Sequence, residues 1–120
     1  MTHHLFVYGT LRPGEVRWVH LAPFVVGDGV DTTVAGDVYD TGLEYPAAMF
    51  GGEGRIIGRM YELTRLDEAL AHLDEVEGAV RGLYHRVVVR TESGHDAWAY
   101  QCGDPGLLVR HLPHGDWARR

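Results

Sequence analysis

Phe6-Val7-Tyr8-Gly9-Thr10-Leu11-Arg12-Pro13-Gly14 is an apolar run that breaks at glycine and enters a loop closed by Pro-Gly. Its first half reads as a core strand, Leu5 to Tyr8, preceded only by the short polar lead of Thr2, His3 and His4. A strand ending in a Gly-containing turn can aim consecutive backbone N–H groups at one anionic or carbonyl oxygen. The same pattern is also ordinary turn chemistry, and it lacks the GxxxxGK spacing of a phosphate-binding P-loop.

Working outward, Glu15 to Leu21 carries Val16, Val19 and His20 at helical spacing, which predicts a short helix or turn. Val34 to Tyr39 mixes β-branched and aromatic residues around Gly36, a position that in a strand marks a bulge or a close backbone approach. Glu44 to Met49 reads as an edge strand, because Pro46 has no N–H for a central ladder, and Gly51-Gly52-Glu53-Gly54 reads as a turn after it. Arg55 to Leu63 alternates as a strand, with Gly58 predicting curvature. Leu83 to Thr91 and His95 to Cys102 alternate around Glu92-Ser93-Gly94, which predicts an antiparallel hairpin. The tail holds Pro105, Gly106, Pro113 and Gly115 and reads as irregular, with Trp117 packing back onto the body. Six or so short strands, glycine-marked bends and one clear helix predict an α+β domain, 1–120, built on a small, mostly antiparallel, partly closed β-barrel.

That helix follows Thr64, where Leu66, Leu70 and Leu73 recur at steps of four and three. Thr64 is the expected N-cap, Asp67 the acid of its third helical position, and Gly78 the stop. Continuing the period, the next inward position is Glu77, about 20° around the axis from Leu66. Asp74 and Glu75 fall farther round and read as solvent-facing charge. A carboxyl turned into an apolar setting at the negative end of a helix has its pKa raised, the property that a general acid/base needs. Two other readings of Glu77 stay open: a frayed helix end that points it to water, and an ion pair with Arg81 or Arg86.

Composition limits the chemistry. The 120 residues are 45% apolar, enough for one compact domain, and seventeen acidic against eleven basic residues give a formal charge of −6. No basic stripe is present, so a nucleic-acid partner is not expected. No run approaches the roughly 18 apolar residues of a membrane span and no signal-peptide pattern opens the chain, so the expectation is a soluble, cytoplasmic protein without a membrane partner. Cys102 is the only cysteine and reads as a packed residue rather than a nucleophile. The eight histidines are scattered, and Pro113 breaks the one helical pair, His111 and His114, so no metal is expected.

Several blocks together carry a resemblance. They are Phe6 to Gly14, Tyr45-Pro46-Ala47, Gly58-Arg59-Met60-Tyr61-Glu62-Leu63, Leu73-Asp74-Glu75-Val76-Glu77-Gly78, Leu83-Tyr84-His85-Arg86 and Ala97-Trp98-Ala99-Tyr100. In this order and over nearly the whole chain they resemble the gamma-glutamylcyclotransferase, or AIG2-like, family, and most of all its gamma-glutamylamine cyclotransferase branch. The resemblance implies that a gamma-glutamyl amine or amino acid is cyclised to 5-oxoproline with release of the amine, without a cofactor. It places the catalytic general acid/base on Glu77 and the substrate loop on Tyr8, Gly9, Thr10 and Leu11. Tyr84 and Tyr100 become candidates to line the pocket. Arg86 becomes a candidate either for a substrate carboxylate or for anchoring an acid such as Asp74. Arg12 and Tyr45-Pro46 read as structure that holds the loop, and Trp98 as core. A carboxylate-binding module without catalysis and a gamma-glutamyl hydrolase are the alternatives on the same residues. The short Pro/Gly-rich segment after Tyr100 leaves the leaving-group pocket and the leaving amine open, and the oligomeric state is not specified.

Overall fold

The computed structural model describes residues 2–79 and 82–120. Its elements are β1 (His4–Val7), α1 (Trp18–Leu21), β2 (Val25–Asp40), β3 (Pro46–Leu63), α2 (Leu66–Val76), β4 (Tyr84–Arg90), β5 (Asp96–Cys102) and β6 (Arg110–His111). Short 3-10 turns occupy Ala22–Phe24, Pro105–Leu107 and Trp117–Arg119. The strands form one sheet in the order β4-β5-β1-β3-β2-β6. Every pairing is antiparallel except β1 with β5, which meet in parallel at Leu5 and Trp98. The sheet curls until Val34 of β2 bridges Thr91, just beyond β4, so an α+β fold on a partly closed barrel is what forms.

Alternation along β1 explains how so thin a strand organises two cores. Leu5 and Val7 face a cluster with Leu70 and Leu73 of α2, whereas Phe6 faces a second cluster with Val34, Ile56, Met60 and Trp117. Both faces of the strand are apolar because both are covered. Trp117, 1% exposed, closes the second cluster as the sequence predicts.

Two expectations are corrected in the middle of the chain. The strands expected at Glu44–Met49 and Arg55–Leu63 are one strand, β3, which pairs β1 through Arg59–Glu62 while its Pro46–Phe50 end pairs β2 alone among the described residues, keeping the edge position expected of it. Pro46 is tolerated there because it is the first residue of the strand, paired with Asp40. The glycine cluster 51–54 ends no strand: Ala35 pairs Arg55 while its neighbour Gly36 pairs Phe50, so the four residues form an excursion within β3. Gly36 is needed at that point, since its φ is +152° and a Cβ there would meet the Met49 carbonyl at 2.5 Å. β2 also extends back to Val25, beyond the predicted Val34, and β6 is an additional strand drawn from the tail.

The helix period holds and its N-cap does not. Ala69, Leu70 and Leu73 are buried, but the cap residue is Arg65, left-handed at φ 50°, with no side chain capping the first turn. Asp67 therefore stands at the second helical position, where it still complements the dipole. Gly78, at φ +71°, stops the helix as predicted. Val16 and Val19 are exposed, and only the last turn of the predicted Glu15–Leu21 stretch is α-helical.

Candidate active site

The chain leaves β1 at Val7 and turns beside the start of β3, so the loop sits where the sheet, α2 and the β4–β5 hairpin converge. Gly9 is required by that approach: a Cβ on it would collide with the Pro46 ring. The Gly9 carbonyl accepts from Arg12 N–H at 3.0 Å and the Thr10 carbonyl from Arg17 N–H at 2.8 Å, which folds the loop on itself. Arg12 pins its far side through Asp116 at 3.2 Å, in keeping with a loop-holding role. Among the described residues no acceptor faces the N–H groups of Gly9, Thr10 and Leu11, although all three residues are buried. Buried backbone donors are rarely left without a partner, and the three residues that carry these line a cleft.

The loop borders a small cleft that opens to solvent. Tyr8, Gly9, Thr10, Leu11, Tyr84 and Tyr100, six of the residues singled out in the sequence, line it together with Glu77. Glu77 is the C-cap of α2 and only 8% exposed, so the helix has not frayed away from the core. Burial pushes its carboxyl up to about 7, against the pull of the Arg17 guanidinium. Arg17 Nη1 donates to Glu77 Oε2 at 3.2 Å, and the guanidinium lies over the Tyr45 ring at 5.6 Å. Arg17 is the residue that sequence reasoning passed over. It is the N-cap of α1, within a stretch whose spacing pointed only to a short helix, and only the fold brings it to Glu77.

The remaining expectations separate cleanly. Arg81 lies outside the described residues. Arg86 grips Asp74 through two hydrogen bonds, at 2.9 and 3.2 Å, and lies over Trp98 rather than in the cleft. Asp74 is accordingly not the free solvent charge that its helical position predicts, since it also accepts from the Tyr100 hydroxyl at 2.8 Å. The Tyr84 hydroxyl donates to the Pro46 carbonyl at 2.5 Å and that of Tyr8 to the Tyr100 carbonyl at 2.5 Å. Burial raises all three phenols well above their usual range, so they remain protonated donors and serve as walls rather than bases. Tyr45 and Pro46, read as structural, are wall residues of the cleft as well. Among the described residues no three His, Cys, Asp or Glu side chains converge as a metal site, and no helix is long and apolar enough to cross a membrane.

A curled mixed sheet thus brings a buried carboxyl and the loop after β1 to one cleft. The family model described as "Gamma-glutamyl cyclotransferase, AIG2-like" matches residues 5–119. The chain belongs to that family. It is 37% identical over 90 residues to a Halalkalibacterium halodurans protein named "Putative gamma-glutamylcyclotransferase", covering 70% of this chain and 79% of the relative. It is 33% identical over 105 residues to the gamma-L-glutamyl-butirosin B gamma-glutamyl cyclotransferase of Niallia circulans, covering 81% of this chain and 65% of that longer protein. The crystal structure of a mouse AIG2-like protein shares the fold with a TM-score of 0.77 at 19% identity, over 96% of this chain and 87% of that one.

Proposed function

We propose that this protein is a gamma-glutamyl cyclotransferase in which Glu77 shuttles the proton. The observation that carries the reading is the enclosure of Glu77 in one cleft with the unpaired N–H groups of Gly9, Thr10 and Leu11. The family and the names of its relatives support the reaction class.

In this mechanism the loop N–H groups receive a carboxylate or the developing oxyanion of a gamma-glutamyl substrate. The substrate's α-amine attacks its own γ-carbonyl carbon. A C–N bond forms there, and the bond from that carbon to the leaving nitrogen breaks. Ionised Glu77 takes a proton from the attacking nitrogen and returns it to the leaving nitrogen, so the products, 5-oxoproline and a free amine, together contain every atom of the substrate. A carboxyl poised near 7 gives up and accepts protons with comparable ease at neutral pH. Tethering supplies much of the remainder, since well-oriented intramolecular reactions reach effective molarities of about 10⁵ M or more. The aromatic walls hold the curled conformer on which this depends.

The test is a panel of gamma-glutamyl amines and amino acids incubated with the protein and assayed for 5-oxoproline. Release is expected from the wild type and not from Glu77→Gln, which retains binding of the gamma-glutamyl ligand. Glutamate in place of 5-oxoproline would mark a hydrolase, and binding without either product a non-catalytic module.

A further inference from the structure

The C-terminal tail, residues 103–120, lines no part of the cleft among the described residues, yet it is tied to the loop that does. Its course over the sheet is fixed at several points. The Leu112 N–H donates to the Val38 carbonyl at 2.9 Å, and the Gly115 carbonyl accepts from the Ile57 N–H at 2.8 Å. Gly115 has φ +74°, and a Cβ on it would collide with the Arg55 carbonyl, so the tail lies directly against β3 there. Trp117 then enters the apolar cluster of Phe6 and Ile56.

Asp116 stands between these two fixed residues. It is 8% exposed, and its Oδ1 accepts from the Ala118 N–H at 3.0 Å and from Arg12 Nη1 at 3.2 Å. A carboxylate held on both sides in this way is a fixed acceptor, and removing its cation would leave a buried charge uncompensated. Arg12 carries the anchorage to the site. Its backbone N–H closes the loop on the Gly9 carbonyl at 3.0 Å, so Gly9, Thr10 and Leu11 lie in a turn that ends on Arg12. Its side chain leaves the cleft and lines a separate groove beside Trp18 and Tyr61. Among the described residues Asp116 is the one hydrogen-bond partner of that guanidinium.

We propose that Asp116 is a positioning residue for the cyclisation, holding the loop N–H groups in place against Glu77 through Arg12. This rests on the cyclisation reading above. The tail acts as a strut behind the substrate loop rather than as a lid over the cleft. Donors that receive an oxyanion must keep their places to about half an ångström, and sites on loops are less precise than sites on strands or helices. A tail packed on β3 supplies the rigid support that the loop lacks.

The test compares the wild type with Asp116→Asn, Arg12→Met and the double variant, by 5-oxoproline release from gamma-glutamylalanine and gamma-glutamylethylamide. Asp116→Asn should lower kcat/KM by about 10- to 100-fold, since a misplacement of about 1 Å can cost a hundredfold. Both substrates should fall by the same factor, because the loop holds the glutamyl half that they share. The double variant should be no worse than the more impaired single one, as expected of two residues that act through one contact. The acid limb of the pH–rate profile should stay at its wild-type position, because Glu77 keeps its contact with Arg17. Should Asp116→Asn not fold, Arg12→Met and Arg12→Lys carry the test alone, Met losing the activity and Lys, with its charge and a donor, recovering part of it.

Wild-type kcat/KM in Asp116→Asn, with only a lower urea midpoint, would reduce Asp116 to a structural cap and overturn the proposal. Losses that multiply in the double variant would do the same, as would a limb that moves with the loss. If the wild type releases no 5-oxoproline, the cyclisation reading fails and takes the inference with it. Wild-type activity that survives in every variant defeats the inference alone.

Discussion

Glu77→Gln should make the protein more stable in alkali while removing its turnover. The unfolded chain holds Glu77 at its ordinary value of 4.5, whereas the folded state raises it to about 7 by burial. Between those values the folded state binds more protons than the unfolded one, so stability falls as pH rises through the window. The protonated carboxyl is accommodated in full below 4.5, and above 7 the cost of holding it ionised is complete. Moving a carboxyl that far corresponds to about 3 kcal/mol. Gln is close in shape, keeps an acceptor for Arg17 and never ionises, so the variant escapes this cost. Urea unfolding of both proteins at pH 4, 6 and 8 isolates the effect, because all other titrating groups are shared. The difference in stability should be near zero at pH 4 and grow to about 3 kcal/mol at pH 8, or about 1.5 M in the urea midpoint. A difference independent of pH, or a variant less stable than wild type at pH 8, would show that Glu77 is not the strained carboxyl described here.

The pH–rate profile and the loop each give a further test. With gamma-glutamylethylamide, kcat/KM should rise with pH along an acid limb centred near 7, since the free enzyme needs ionised Glu77. Arg17→Met should move that limb to higher pH, because the guanidinium charge is what pulls the carboxyl down; a pH–rate profile with the limb unmoved contradicts the pairing. Gly9→Ala should cost about 1–3 kcal/mol, read from urea midpoints, because its Cβ is driven into Pro46 and the loop must shift. The same displacement should lower kcat/KM by at least about tenfold, since a misplacement of about 1 Å can cost a hundredfold. Unchanged activity in that variant would mean that the loop does not hold the substrate.

How far the chain announces this site can be judged residue by residue. The helix before Glu77 was legible because its period is local: Leu66, Leu70 and Leu73 set a register whose next inward position is Glu77, while its burial waited on the packing of the helix end. The Gly9 break was legible for the same reason. Where the sequence misleads, the deciding contact is remote. Glu44 to Met49 reads as a strand of its own, yet pairing with β2 carries it on through Leu63 as one strand, β3. Four residues rich in glycine read as a turn, and a neighbouring strand with its own glycine bend absorbs them as an excursion. Asp74 reads as solvated charge until Arg86 and Tyr100, on two other strands, claim it.

By itself, then, the sequence determined that a glycine-broken strand runs into a loop and that the period of one helix, carried past Leu73, arrives at Glu77. Both are consequences of backbone stereochemistry and side-chain period, which act over a few residues. Only the tertiary structure decided that loop and carboxylate share a cleft, and that Arg17, sixty positions from Glu77, is the cation beside it. Such pairings depend on how a curled sheet closes, a balance of burial over the whole chain that no local pattern encodes.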